Sequence, residues 1–227
     1  MIFPYDSAQD QEKSVVNHAP VAKLRDQLRP AIRSVVVLTL LTGCGFPLLL
    51  FAIARPLFPR QALGSLIRDS YGIAGSELIA QQFTRPEYFH PRPSAAGAGY
   101  DATASGGTNL GPSNPKLIDG SEGFPGIRQL AEQYRAENGL RPDAPIPIDA
   151  VTRSGSGLDP DIMPANAALQ VPRVARARGL PEDAVRSLVA HFTTGRQFAF
   201  LGNPRVSVLD LNLALDRLQN QAAQGPR

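Results

Sequence analysis

Three short stretches carry residue types that chemistry uses. Thr152-Arg-Ser-Gly-Ser-Gly-Leu-Asp159 combines small residues, whose backbone N–H groups can converge on an anion, with hydroxyls at Ser154 and Ser156. Gly106-Gly-Thr-Asn-Leu-Gly111 spaces two glycines as a phosphate-binding loop does, but Pro112 stands where the lysine that meets the phosphates is needed. Gly97 and Gly99 make a lone GxG without the third glycine of a dinucleotide site, and no G-x-S-x-G elbow occurs. His18, His90 and His191 lie far apart, with no cysteine to join them in a metal-ligand spacing. No nucleophile, base and oxyanion donor assemble, so the chain does not read as an enzyme acting alone. For Ser154 to Gly157 the residues favour a loop from a strand into a helix, with Asp159 or Asp161 as its cap. Arg173, Arg176 and Arg178 read as a solvated helix face, and His191 as a cation at a helix C-terminus.

The elements that position these stretches are partly legible. Leu63 to Arg68 and Ser76 to Gln81 suggest a β-hairpin turning over Asp69 to Gly75. A stretch dense in Pro, Gly, Ser and Asn runs from Thr84 to Pro125; its aromatic residues Tyr88, Phe89 and Tyr100 favour an ordered, surface-covering loop over disorder. Gly126 to Asn138 reads as an amphipathic helix, Ile127, Leu130, Ala131 and Tyr134 on one face, stopped by Gly139. A short strand is expected over Ile146 to Val151, helices over Asp161 to Arg178 and Pro181 to Thr193, a strand over Arg205 to Val208, and a terminal helix over Leu209 to Gln219. Runs of both kinds without βαβ regularity indicate an α+β domain.

That domain is tethered. Ser34 to Ala54 contains no charged side chain, and a helix of that length spans about 30 Å, the thickness of a bilayer's hydrocarbon core. Flanking Arg29, Arg33, Arg55 and Arg60 argue against a buried core helix. Ala52-Ile53-Ala54 resembles a signal cleavage site, but the run is long for one and more than thirty residues precede it. Leu41-Thr-Gly-Cys44 has the shape of a lipidation box, yet the chain stays apolar to Ala54. A single-pass span is the favoured reading, bent at Pro47, with Gly43 and Gly45 offering a partner helix close approach. Lys23, Arg25, Arg29 and Arg33 before it, against Arg55, Arg60 and Arg68 after it, only weakly favour a cytoplasmic N-terminus. Residues 1–30 are expected to be a disordered tail, 31–55 the transmembrane helix and 56–227 the domain with its long Gly/Pro-rich loop.

Net charge is +3 over 227 residues, and beyond Arg55 basic and acidic residues nearly balance. That excludes the basic footprint of a nucleic-acid binder. The only cysteine, Cys44, lies within the apolar run, so no disulfide framework exists.

Several phrases together resemble one family. Leu28-Arg-Pro-Ala-Ile32, Arg85-Pro-Glu-Tyr-Phe89 with Arg92-Pro-Ser94, Ser105-Gly-Gly-Thr-Asn-Leu-Gly-Pro-Ser-Asn-Pro115, Val151 to Pro160 and Gly202 to Asp216 are similar, in order, to the C subunit of the bacterial Kdp potassium-importing P-type ATPase. The likeness covers about Leu24 to Leu218; Met163 stands where a serine is expected and Asn203 where an acidic residue is usual. The resemblance implies a non-catalytic subunit of the inner membrane, N-terminus cytoplasmic and main domain periplasmic. Its implied partners are membrane lipid, a potassium-channel-like pore subunit and a P-type ATPase catalytic subunit. ATP, Mg2+ and K+ would be used by the complex, with no cofactor held by this chain. It implies a role in stabilising the assembly, or alternatively in raising ATP affinity through Ser154, Gly155, Ser156 and Gly157. Cytoplasmic ATP would lie across the bilayer from those residues, which favours the first role. Gly43 and Gly45 in the span, and Asn109, Gly111 and Asn114 in the segment Ser105 to Pro115, are the candidate subunit interface.

Overall fold

A computed structural model describes residues 24–69 and 72–224. Of the tail expected to be disordered over residues 1–30, positions 1–23 lie outside the described residues, and Leu24 to Pro30 are helical instead, as the first two turns of the long helix. The chain divides into two compact units between Ala62 and Leu63.

The first unit is one long helix, Leu24–Leu57, of mean hydropathy 2.3 over its most apolar window. It exceeds the uncharged run at both ends, because a helix satisfies its own backbone whether its side chains are apolar or, like Arg25, Arg29 and Arg55, charged. It comprises α1 (Leu24–Leu38), a π-helical turn (Thr39–Gly45) and α2 (Phe46–Leu57), followed by the single-turn α3 (Pro59–Ala62). Pro47 was expected to bend the helix; the wide turn lies immediately before it. In an α-helix the Pro47 ring would press on the carbonyl of Gly43, and the π register relieves that crowding: the Phe46 N–H reaches back five residues to Leu41 O. Thr42 Oγ1 donates to Leu38 O at 2.7 Å, so its hydroxyl is satisfied inside the helix.

The second unit is a small α+β domain. It opens with the antiparallel hairpin β1 (Leu66–Asp69) and β2 (Gly72–Ser76), with a bulge between Ile67 and Arg68. The second strand falls where a turn was expected. Gly75 is not there to turn the chain but for close packing: a Cβ at that position would meet Gln81 and sit 3.0 Å from Leu209 Cδ2. From Ala80 to Asn114 no helix or strand forms. Then come α4 (Pro115–Asp119), α5 (Ile127–Asn138), a 3-10 turn (Ile148–Ala150), β3 (Asp161–Ile162), α6 (Pro164–Arg178), α7 (Glu182–His191), β4 (Thr193–Thr194), β5 (Arg205–Ser207) and α8 (Val208–Gln224). Strands β3, β5 and β4 form an antiparallel sheet in that order.

Two further expected elements change. The strand read over Ile146 to Val151 is a 3-10 turn, because Pro145 and Pro147 have no N–H for a ladder. The helix expected from Asp161 begins at Pro164: Asp161 and Ile162 pair with Ser207 and Val206 in the sheet, and Met163 is the N-cap without a side-chain bond. Neither aspartate caps the helix. Asp159 Oδ2 takes Arg92 Nη1 at 2.8 Å, and Asp161 Oδ2 faces Arg205 Nε at 3.0 Å.

The main core joins α6, α7, α8 and the sheet through Val171, Val174, Val185, Val206, Leu211 and Leu215, with Phe89 inserted from the irregular segment. A second cluster gathers Tyr134, Ala150 and Val151, with Ile127, Leu130, Ala131 and Ile146 against it. This is the face expected for α5, and Gly139 ends that helix in the left-handed conformation at φ +63°.

Candidate functional site

The Ser-Gly-Ser-Gly loop is half of a backbone zip. Gly106 N–H and Ser105 Oγ both donate to Ser156 O, each at 2.9 Å. Ser94 Oγ donates to Gly157 O at 2.6 Å. Glycine is required on both sides: a Cβ at Gly107 would lie 2.9 Å from Gly155 O, and one at Gly157, where φ is +69°, would lie 2.6 Å from Ala96 N and Gly106 O. The loop also uses its own donors, since Gly157 N–H bonds Ser154 O at 3.2 Å and Leu158 N–H bonds Ser156 Oγ at 3.1 Å. The neighbouring cation is held as well. Arg153 lies 4.2 Å from the centre of the Phe124 ring and donates to Pro125 O at 3.1 Å. Burial pushes its pKa down, partly countered by Tyr100.

Beside the zip is a cavity of ≈ 470 Å³, lined among others by His90, Tyr100, Tyr134, Glu137, Arg153 and Gln170. Tyr100 donates to Arg92 O at 2.7 Å, and burial pushes its phenol up to about 12. Tyr134 is pushed up further, by burial and then by the charge of Asp149; it donates to Asn166 Oδ1 at 2.8 Å. His90 Nδ1 lies 3.6 Å from Glu137 Oε2, and this imidazole is the main influence holding the Glu137 carboxyl below its ordinary range. The hydroxyls of Ser94, Tyr100 and Tyr134 are committed to structural acceptors. The arrangement holds backbone in place; it does not present an activated nucleophile.

Sequence reasoning missed the densest polar construction in the domain. Arg173 and Arg178, expected on a solvated face, are buried, while Arg176 is exposed. Arg173 Nη1 donates to Pro86 O and Tyr88 O at 2.6 and 2.9 Å, its Nε to Asn138 Oδ1, and its Nη2 to Gln170 Oε1. Arg178 Nε donates to Glu87 O at 2.7 Å, and its Nη2 meets Asp216 Oδ1 at 2.8 Å. The Arg178 guanidinium also lies 4.9 Å from the centre of the Tyr88 ring. Together they clasp Arg85-Pro-Glu-Tyr-Phe89. The Gln170 amide then pairs both backbone groups of His90. The buried chain continues through Asn166 to Asp149, whose Oδ2 accepts from Met163 N–H and Asn166 Nδ2 while Oδ1 has no partner among the described residues. The only signal in the sequence was that cations in a helix rich in alanine and valine need acceptors.

The other expected site residues scatter. Gly43 and Gly45 sit in the π-helical turn. Asn109 is exposed and left-handed at φ +51°, Gly111 has open space around it, and Asn114 caps α4 by accepting from Lys116 N–H at 2.9 Å. Among the described residues no group of three His, Cys, Asp or Glu is placed to hold a metal ion.

The family model described as "K+-transporting ATPase, c chain" matches residues 28–217. The chain belongs to the KdpC family. It is 54% identical over 190 residues to the potassium-transporting ATPase KdpC subunit of Caulobacter vibrioides, covering 83% of this chain and 92% of the relative. It is 48% identical over 199 residues to that of Koribacter versatilis, covering 86% and 97%, and 48% identical over 195 residues to that of Mycobacterium bovis, covering 86% and 100%. One apolar N-terminal helix followed by a small α+β domain fits a single-pass membrane subunit of a transport ATPase. Seen in this KdpC-family fold, the Arg85 to Phe89 phrase is the clasped segment, the glycine phrases are the two halves of the zip, and Gly202 to Asp216 runs from the end of a turn through β5 into α8.

Proposed function

We propose that this chain is a non-catalytic accessory subunit of an ATP-driven potassium importer, which stabilises the complex by docking on the pore subunit. Residues 1–30 form a cytoplasmic tail region, 31–55 cross the inner membrane and 56–227 lie in the periplasm. The observation that carries the non-catalytic role is the zip. The carbonyls of Ser156 and Gly157, and the N–H groups of Gly157 and Leu158, are engaged within the domain, and Arg153 is held on Phe124. A nucleotide-gripping loop needs converging donors and a free cation. Family membership supports the transport complex as the setting, and Gly43, Gly45, Asn109 and Gly111 remain as surface for its subunits.

Topology tests the reading. With Cys44 changed to Ala and a single cysteine placed at the exposed Ser187 on α7, intact spheroplasts should react with a membrane-impermeant maleimide. Labelling only after lysis would overturn the periplasmic placement. Calorimetry of the full chain in detergent should show no magnesium-dependent ATP binding; micromolar binding that disappears in Ser154→Ala/Ser156→Ala would establish the nucleotide-contacting alternative.

A further inference from the structure

The connection between β4 and β5 projects apolar side chains that nothing among the described residues covers. Phe198, Phe200 and Leu201 are 82%, 71% and 47% exposed. The turn is ordered all the same. Gln197 and Leu201 exchange two backbone hydrogen bonds of 2.9 Å, and Phe200 N–H reaches Gln197 O at 3.2 Å. Phe198 and Ala199 adopt φ +51° and +67°, a left-handed backbone that side chains disfavour. A strained, hydrogen-bonded turn therefore holds two rings outward. It is convex, so its apolar groups fit a surface that yields around them.

Charge points to that surface. From Phe192 to Leu209 the chain has no aspartate or glutamate, and its cations are Arg196 and Arg205. Arg205 is paired with Asp161; exposed Arg196 adjoins the rings. Phenylalanine and leucine beside an arginine suit the boundary between headgroups and acyl chains, where rings are buried and the cation meets lipid phosphate.

We infer that the Phe198–Leu201 turn is a lipid-contacting foot, which inserts its two rings and Leu201 into the interface of an anionic bilayer with Arg196 at the headgroups. It rests on reading the Leu24–Leu57 helix as a membrane span.

The chain has no tryptophan, so Phe198→Trp and Phe200→Trp each give a unique reporter, with Ser187→Trp as the reference. The full chain is reconstituted in vesicles of phosphatidylcholine and phosphatidylglycerol, with and without brominated acyl chains, and floated on a density gradient. Failure to float overturns the span reading, and the foot with it. In floating vesicles the foot requires blue-shifted emission and strong bromine quenching for both phenylalanine variants, and neither for Ser187→Trp. Adding Arg196→Glu, or omitting phosphatidylglycerol, should weaken that quenching. Flotation with quenching no greater than that of Ser187→Trp overturns the foot alone. So does a blue shift that arises without bromine quenching and only in the assembled transporter, which would assign the turn to a protein partner.

Discussion

The side-chain amide of Asn212 meets the backbone of Phe89 twice, although 123 residues separate them: Phe89 N–H donates to Oδ1 at 2.8 Å, and Nδ2 donates to Phe89 O at 3.0 Å. Both residues are fully buried, so the amide does for an irregular segment what a neighbouring strand does for a sheet. Asn212→Leu keeps the volume but leaves two buried backbone groups unpaired, at about 1–3 kcal/mol each. Denaturant unfolding of the full chain in detergent should show a loss of about 2 kcal/mol or more. A loss well below that would mean the segment finds other partners.

Glycines in one motif are expected to behave oppositely. Gly155 has nothing within 4 Å of a built Cβ, whereas Gly157 has two backbone atoms at 2.6 Å and a positive φ. Gly155→Ala should change stability by no more than about 0.5 kcal/mol. Gly157→Ala should lower the melting temperature clearly by circular dichroism. Equal melts would show that the two halves of the zip can part freely.

Alkaline pH should weaken the domain through Tyr100. Its phenol, raised from 10.0 to about 12 by burial, keeps its proton in the folded state to higher pH than in the unfolded chain. The stabilisation from this group is complete below pH 10 and is lost as pH rises towards about 12. Tyr100→Phe should flatten that part of the stability–pH curve while costing about 1 kcal/mol at neutral pH for the lost bond to Arg92 O. A curve with an unchanged alkaline slope would locate the effect elsewhere.

Within the apolar N-terminal helix, a Cβ at Gly43 or Gly45 comes no nearer than 4.0 or 3.6 Å to the chain itself, so larger residues fit the isolated helix. Gly43→Leu and Gly45→Leu should leave expression and helicity of this subunit unchanged yet reduce co-purification of the transporter in detergent. Normal co-purification of both, and of the double variant, would reduce the span to an anchor.

What the sequence made legible follows from the range of the forces involved. Helix α5 was readable because Ile127, Leu130 and Tyr134 repeat at helical spacing and Gly139 stops them, all within one short window. Strands β3 and β2 were not: two residues are too few for a period, and Gly75 carries the same letter whether it turns a chain or admits a neighbour. The Ser154 to Gly157 phrase was recognisable as a small-residue turn, but its partner, Ser105 to Gly107, meets its backbone through one N–H and one hydroxyl, which leaves no complementary side-chain pattern. Arg173 and Arg178 were misplaced for a related reason, since their acceptors include the carbonyls of Pro86, Glu87 and Tyr88.

The clasp around Arg85 to Phe89 sets a timetable for the chain. Its keepers sit in α6 and α8, and the Tyr88–Asp216 contact spans 128 residues. Contacts so distant form only after large loops close, which costs entropy that no local structure has yet repaid. Asn212 and Asp216 lie in α8, which follows every other element of the core along the chain. Until that helix arrives, Phe89 has no partner for its backbone and the core has no Leu211 or Leu215. The domain therefore cannot complete its clasp or its core without α8, and a chain cut before Val208 would leave Arg85 to Phe89 without the Asn212 and Asp216 partners that hold it.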